Sequence, residues 1–465
     1  MQQQSAITRT ITVAAGVFAP GHLGELTQIL DFDLVDAVVA ETGTVQRRVR
    51  LLPSRVLVFF VLALALFERC AYRQVWAKLT AGLGGLVVAC PSASALSRAR
   101  RRVGPKPLRA LFEAVSGPVA WTSARSAFWR GLRTVAIDAT MLHVPDTSAT
   151  VARYPKRQGP AAGFGYPYLR LVVLIECGTR ALLGAAFGPE STGEHAYARR
   201  LLDKLDAGML LLADAYYDSW RLLAEITATS AHYLCRSGAG RVPLILTRLP
   251  DGSYLSALGH GRLRVRVIEA LIEVSLTDGT TRTEQWRLIT SLLDPAHHPA
   301  AELVELYHQR WQIETTYLSI KSTILDGRVL RSHHPADIDQ EIWALLTVYQ
   351  AIIRLTADAV TALPDTEHHR ASFTIALDTA RDQVITAQAV IPPDGPAVLV
   401  GAIGRAVQNN LLPARCHHRT KARTRKNPTS KYGPNAGRHP QQTQIYTLHA
   451  TITIIEEGLT PRSKR

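Results

Sequence analysis

Three acidic residues of this chain stand where their side chains could hold a metal ion. Asp138 ends the apolar run RTVAID and Asp214 ends the run GMLLLAD, so both are predicted to lie at the carboxyl ends of buried strands. In a layered α/β sheet such strand ends meet at one edge, where sites usually form. Glu314 belongs to a helical pattern over residues 300–325 that could pack beside that edge. Three carboxylates gathered there would form an oxygen-lined pocket for hard divalent cations.

Each acid also has a simpler explanation when it is taken alone. Asp138 could cap the turn after its strand, and Glu314 could be a solvated helix residue. Asp218 is a neighbour of Asp214 and could replace it, although Asp214 directly ends the apolar strand. Metal-ion chemistry explains the three acids together, and the joint pattern therefore favours a metal-dependent site.

The helix that carries Glu314 also carries basic and aromatic residues on the same side. At 100° per residue, a sector of about 60° holds Tyr307, Arg310, Glu314 and Lys321. An acid beside an arginine, a lysine and a tyrosine suits metal binding next to phosphate binding.

The elements around these residues predict a layered α/β core. From residue 133 onward the order is three strands, a helix, a fourth strand, a helix and a further strand, which is the order of an RNase H-like unit. Residues 236–293 are short β runs divided by Asp-Gly turns, and they predict a β insertion into that unit. Long helices return after Pro299, and TQIYTLHATITII near the end could be a strand of unknown placement.

Helices are predicted before the core, and they include the apolar run from Val56 to Phe67. As a helix this run is about 18 Å long, short of the ~30 Å hydrocarbon core of a membrane, so we expect a buried helix. The five scattered cysteines form no Cys-x-x-Cys pair, which argues against a disulfide scaffold or a structural zinc site. A cytoplasmic location fits best.

The net charge of +15 is concentrated in two blocks. Six basic residues and no acid lie from Arg98 to Arg109, and eight basic residues and no acid lie from Arg415 to Arg438. The rest of the chain is close to neutral, so these blocks suit a polyanionic partner. Short basic helices joined by tight turns, one of them capped by Ser92 or Ser94, are compatible with a helix-turn-helix-like DNA reader. A solvated basic face is the alternative.

The spacing of Tyr307, Arg310, Glu314 and Lys321, Tyr-x2-Arg-x3-Glu-x6-Lys, resembles the signature of the insertion sequence 4 family of bacterial DDE transposases. Asp138 in AIDAT and Asp214 in LLLADAYY resemble the first and second acids of that family. The β insertion before the glutamate agrees with the family as well. The resemblance extends over roughly residues 20–360.

The resemblance implies a DNA transposase that cleaves and joins DNA at the terminal inverted repeats of its own element. Asp138, Asp214 and Glu314 would hold two Mg²⁺ ions, for which Mn²⁺ could substitute. Double-stranded DNA of the element ends and the target would be the partner, bound by a homodimer, with no membrane involved. The residues expected to contact DNA are Tyr307, Arg310, Lys321, Arg98, Arg100, Arg101, Arg102 and Trp286. For Trp286 a buried strand position is the simpler explanation.

The expected domains are a helical N-terminal DNA-end-binding domain (1–125), an RNase H-like catalytic domain (126–365) with its β insertion (236–293), C-terminal helices (366–412) and a basic tail (413–465). Two alternatives stay open. An inactive DNA-binding regulator derived from a transposase would be expected to have lost one of the acids. Another RNase H-like nuclease is disfavoured by the Tyr-Arg-Glu-Lys stripe.

Overall fold

A computed structural model describes residues 22–46, 48, 51–82, 88–120, 124–156, 165–238, 240–276, 279–386, 400–413 and 447–455. The second basic block, Arg415 to Arg438, lies outside the described residues, as does most of the glycine-rich segment 159–165.

Helices precede the first strand, as the sequence predicts. They are α1 (Phe32–Glu41), α2 (Ser54–Leu66), α3 (Tyr72–Thr80), α4 (Ala93–Val103) and α5 (Lys106–Val115). Every residue of α2 except Arg55 is buried, which confirms that the apolar run is a core helix. No helix within the described residues is long and apolar enough to cross a membrane. Ser92 caps α4, because its side chain accepts a hydrogen bond from the backbone N–H of Ala95 at 3.2 Å.

The strands of the core follow the predicted order. They are β1 (Phe128–Trp129), β2 (Leu132–His143), β3 (Tyr168–Glu176), β4 (Leu182–Pro189), β5 (Met209–Ala213) and β6 (His232–Arg236), with helices α6 (Ser148–Arg153), α7 (Glu194–Arg199) and α8 (Trp220–Ala228) between them. Strands β2, β3 and β4 pair antiparallel, whereas β5 pairs parallel with β2 and β6 parallel with β5. The order β4-β3-β2-β5-β6 confirms an RNase H-like sheet.

The predicted β insertion forms strands that continue the same sheet. They are β7 (Thr247–Arg248), β8 (Tyr254–Leu258), β9 (Leu263–Leu276) and β10 (Thr281–Thr290), and β10 pairs with β6. The segment near the end of the chain is also a strand, β11 (Thr447–Ile454), and it lies antiparallel to β9 with Ile452 opposite Ile272. Pairing between such distant residues cannot be read from local sequence, which is why β11 had no predicted place.

The last helices are α9 (Ala300–Tyr307), α10 (Trp311–Leu318), α11 (Pro335–Thr361), α12 (Phe373–Thr386) and α13 (Ala402–Asn409). The single helix predicted over 300–325 is wrong in detail. A 3₁₀ turn at His308–Arg310 separates α9 from α10, and a π-helical turn at Ser319–Ile324 follows α10. Both irregular turns occur next to side chains that reach the sheet, and such tertiary contacts override the regular helical repeat.

Two hydrophobic cores lie on the two faces of the sheet among the described residues. The larger core joins the N-terminal helices, α11 and one face of β2, β3 and β5. The smaller core packs α7 and α8 against the other face. The helix α10 therefore approaches the sheet from one side and α7 from the other.

Candidate active site

The strand register brings the first two acids together. Strands β2 and β5 are parallel neighbours in which Ala136 is paired with Leu212. Asp138 and Asp214 each follow two residues later, so their backbones lie side by side where β5 ends. Asp214 directly follows β5 as predicted, but the prediction that Asp138 ends its strand is wrong, because β2 continues to His143 through its pairing with β3. Oδ1 of Asp138 accepts a hydrogen bond from the backbone N–H of Ala139 at 2.8 Å. Asp214 starts the next turn, where its Oδ1 accepts from the backbone N–H of Tyr216 at 2.9 Å.

Arg310 joins the third acid to this edge. Its Nη1 is 3.7 Å from Oδ2 of Asp138, and its Nη2 is 3.4 Å from Oε1 of Glu314. The side chains of Asp138, Glu314 and Arg310 are each about four-fifths buried. The guanidinium is thus a cation held between two carboxylates, one from β2 and one from α10.

Two tyrosine hydroxyls fasten the helical segment to the sheet beside Asp138 and Asp214. The hydroxyl of Tyr307 donates to the carbonyl of Ala213 at 3.0 Å, directly before Asp214. The hydroxyl of Tyr317 donates to the carbonyl of Asp138 at 2.5 Å. These two hydrogen bonds fix the position of Glu314 relative to Asp138 and Asp214.

Asp218 has a different role from Asp214. Its side chain is 4% exposed, and its Oδ2 accepts from Nε of Arg241 at 2.8 Å and from the hydroxyl of Ser237 at 2.9 Å. This acid is occupied in holding the start of the β insertion, which leaves Asp214 as the acid that faces the cleft.

The acids at this edge repel one another, and a cation would reduce that repulsion. Burial, followed by the negative charge of Asp214, raises the pKa of Asp138 to about 7, although Arg310 acts in the opposite direction. The acids supply hard oxygen donors of the kind that divalent cations prefer. Among the described residues, however, no three acidic, histidine or cysteine side chains stand close enough to enclose a metal ion as they are. The three carboxylates fit such an ion by their chemistry, and the guanidinium of Arg310 now lies between two of them.

Comparison with known proteins agrees with this geometry. Residues 20–113 match the model of the insertion element 4 transposase N-terminal family, and residues 129–351 match the transposase DDE domain. The transposase InsG for insertion sequence element IS4 of Escherichia coli (strain K12) is 29% identical over 338 residues, which is 71% of this chain and 76% of the relative. The chain belongs to the insertion element 4 family of DDE transposases. Membership of the DDE family implies that this transposase uses a divalent metal ion.

A solved structure of the piggyBac transposase synaptic complex with hairpin DNA aligns with 86% of this transposase and 87% of that chain. The sequence identity is 11% and the TM-score is 0.41, which is too low for this likeness to establish a shared fold by itself.

The arginines predicted to contact DNA divide into exposed and buried positions. Arg98, Arg101 and Arg102 of the transposase are exposed, and Nε of Arg101 is 3.1 Å from Asp337. Arg100 is 1% exposed and donates to the hydroxyls of Tyr72 and Ser332 and to the backbone carbonyl of Asp337. The predicted DNA contact at Arg100 therefore does not fit the structure. Its position on α4 faces α11 rather than solvent.

Trp286 and two residues of the signature are also engaged inside the protein. Trp286 is 9% exposed, and its ring lies 5.3 Å from that of Tyr307. Tyr307 is itself 4% exposed and supports β5, so neither ring is open to a DNA base in this structure. For Trp286 this agrees with the simpler explanation, a buried strand position, and for Tyr307 the burial does not fit the expected DNA contact. Lys321 is partly exposed, and its Nζ donates to the hydroxyl of Thr140 at 3.2 Å.

Two residues near the site are not predicted from the sequence. Tyr317 lies on α10 with its hydroxyl on the backbone of Asp138, although nothing in its spacing separates it from an ordinary core residue. Glu194 begins α7, where an acid is common because it stabilises a helix N-terminus. Its nearness to the strand-end acids becomes visible only in three dimensions.

Proposed function

We propose that this transposase catalyses Mg²⁺-dependent cleavage and strand transfer at the terminal inverted repeats of its own insertion element. The observation that carries the proposal is the meeting of Asp138, Asp214 and Glu314 at one sheet edge, with Arg310 between two of them. Family membership supports the reaction class.

In the proposed mechanism Asp138, Asp214 and Glu314 would hold two Mg²⁺ ions, and when bound these ions would supply activation of the attacking oxygen and stabilisation of the leaving oxygen. Tyr307 and Tyr317 keep the helix fixed against the strand ends, so the acids hold their spacing during the reaction. Arg310 turns from the carboxylates to the phosphate next to the scissile bond, and Lys321 contacts a neighbouring phosphate. Water attacks first at the element end, and the freed 3′-hydroxyl then attacks the target.

We infer that the helical region 1–125 binds the element ends and the region 126–365 performs the chemistry. In the tail 413–465, the basic residues from Arg415 to Arg438 would add non-specific attraction to DNA, whereas β11 completes the sheet. The exposed Arg98, Arg101 and Arg102 support an end-binding role for α4. Two ends must be brought together for joining, so a homodimer is expected in the DNA complex. The basic blocks predict binding that weakens steeply with salt.

Strand cleavage and joining on duplex DNA that carries the flanking element ends, with Mg²⁺, tests the proposal. We expect the wild-type protein to nick and join, and Glu314→Gln to bind the same DNA without either reaction. The exposed Glu305 on α9 offers a matched control, because Glu305→Gln makes the same chemical change outside the site and should retain activity.

Other outcomes would replace the proposal by one of its alternatives. Binding without cleavage by the wild-type protein would indicate an inactive regulator. Cleavage without joining would indicate another nuclease of this fold. Cleavage that survives Glu314→Gln would show that the wrong carboxylate or the wrong mechanism has been assigned.

A further inference from the structure

The start of α7 is docked onto the turn that follows Asp214. Nε2 of His195 lies 2.7 Å from the backbone carbonyl oxygen of Tyr216. The ring of His195 is 5.2 Å from the ring of Tyr216 and 6.1 Å from that of Tyr217. Because α7 packs on the face of the sheet opposite α10, its first residue reaches the strand ends from the side opposite Glu314.

That first residue is Glu194, whose carboxyl group is partly buried among charged neighbours. Burial raises its pKa, and the charge of Asp214 acts in the same direction, whereas Tyr217 and Arg170 lower it. Glu194 in turn contributes to the raised pKa of Asp138, after burial and Asp214. Glu194 is therefore within electrostatic range of both strand-end acids.

The buried hydroxyl of Tyr217 lies near the same acids. Tyr217 is 1% exposed, and its hydroxyl interacts with the acids Glu194 and Asp138. Within the described residues this hydroxyl makes no hydrogen bond of normal geometry. A buried polar group without a well-formed hydrogen bond costs free energy. Glu194 is the acid beside this hydroxyl that can accept from it, so the two side chains can position each other.

Charge balance leads to the same conclusion. Two divalent cations carry four positive charges, whereas Asp138, Asp214 and Glu314 together carry three negative charges. A fourth carboxylate next to the strand ends would complete the compensation before DNA arrives. Tyr217 and Arg170 offset part of the cost of keeping Glu194 half-buried near Asp214, and a bound cation would offset more of it.

We propose that Glu194 is a fourth carboxylate of the active site, which would support, through water, a divalent cation held by Asp138 and Asp214 and is oriented by the Tyr217 hydroxyl. The inference rests on the proposed metal-dependent function. In this role Glu194 is a positioning residue, because it acts on the cation through water rather than on the DNA.

The test measures Mn²⁺ binding to the full chain without DNA by electron paramagnetic resonance, in which free and bound ions are distinguished. Glu194→Gln should raise the Kd for Mn²⁺ about tenfold, the usual size of an effect from a group that supports a metal ligand. Glu194→Asp, which keeps the charge, should recover part of the affinity. Tyr217→Phe should weaken binding less than Glu194→Gln does.

Two further variants make the result decisive. Glu225→Gln is the matched control, since Glu225 lies on α8 on the same face of the sheet and pairs with Arg199 at the surface, so the Kd for Mn²⁺ should not change. Asp214→Asn removes a ligand of the proposed metal site itself. If Asp214→Asn weakens binding and Glu194→Gln does not, the role of Glu194 is overturned while the proposed function stands. If Asp214→Asn has no effect, the metal site is wrong, and the role of Glu194 is overturned with it.

Discussion

Asp138 is a largely buried acid, and its burial should make the free energy of unfolding depend on pH. Burial and the charge of Asp214 raise its pKa to about 7, so the folded chain keeps a proton that the unfolded chain releases near pH 4. The stability that comes from the protonated carboxyl group is fully present below pH ~4 and is lost as the pH rises through about 7. At neutral pH and above, a bound cation removes this cost, because it stabilises the ionised carboxylate.

The variant Asp138→Asn should therefore be more stable than the wild type in EDTA at pH 8. We expect a gain of about 1–3 kcal/mol in the free energy of unfolding, which should disappear towards pH 4. Urea unfolding at the two pH values measures it. Asp203→Asn is the control, since the side chain of Asp203 is 68% exposed and should give no pH-dependent difference. An equal effect of Asp138→Asn at both pH values would contradict the assigned cause.

Arg310 stands where a metal ion would otherwise screen Asp138 from Glu314, so guanidinium and metal compete for the same carboxylates. Arg310→Gln should bind Mn²⁺ more tightly than the wild type without DNA, by about three- to tenfold, because no cation has to be displaced. The same variant should lose strand cleavage, since the phosphate loses its bidentate partner. Calorimetric titration and the cleavage assay give the two results. Weaker Mn²⁺ binding by Arg310→Gln would argue that the guanidinium supports the ligands instead of replacing the ion.

At the scale of elements, the sequence predicts those parts whose pattern is local. The apolar strand β5 is followed by Asp214 as expected, and α2 is buried because it is apolar on every side. Strand β2 continues past Asp138 to His143, because its pairing with β3 extends beyond the apolar run. The break of the helix at His308–Arg310 follows from contacts with the sheet, which a helical repeat cannot report. Arg100 looks like the arginines beside it, and its buried partners lie more than 200 residues further along the chain or, for Tyr72, on another helix. Arg100 differs from the neighbouring arginines only because α4 packs on α11 at its position.

This difference between neighbouring arginines of α4 is testable. Arg100→Ala should lower the free energy of unfolding by about 2–4 kcal/mol, because it leaves buried polar groups of α3 and α11 without their donor. Arg98→Ala, the matched change at an exposed position of the same helix, should stay within about 0.5 kcal/mol of the wild type. Chemical denaturation measures both values. DNA binding at increasing salt should then weaken for Arg98→Ala, and a normal affinity in that variant would remove α4 from the DNA surface.

For the whole molecule, the larger core ties the N-terminal helices to the catalytic region. Helix α11 packs against α2 and α5 as well as beside the sheet, so its apolar surface is covered from both regions. The sequence pattern suggests separate domains because composition changes near residue 117, yet composition does not show which hydrophobic surfaces meet. In the structure the N-terminal helices and the acids therefore share one packed body. If these helices bind the element end as proposed, the rigid connection would hold that end in a fixed position relative to the acids.

A fragment that begins at residue 121 should accordingly not be stable. Removal of α1 to α5 uncovers the face of α11 that packs on α5, where the rings of Trp343 and Phe112 lie 5.3 Å apart and Nε2 of Gln350 donates to the carbonyl of Val115 at 3.3 Å. Exposed apolar area costs roughly 25 cal/mol per Å². The free energy lost by exposing the apolar surface beneath five helices therefore exceeds the whole stability of an ordinary domain. We expect the fragment to bind a hydrophobic dye and to lack a cooperative thermal transition, whereas the full chain should unfold in one step through these two regions. A fragment that melts cooperatively and still binds Mn²⁺ at Asp138 and Asp214 would show that the catalytic region folds alone, and the shared core would then serve only to orient the end-binding helices.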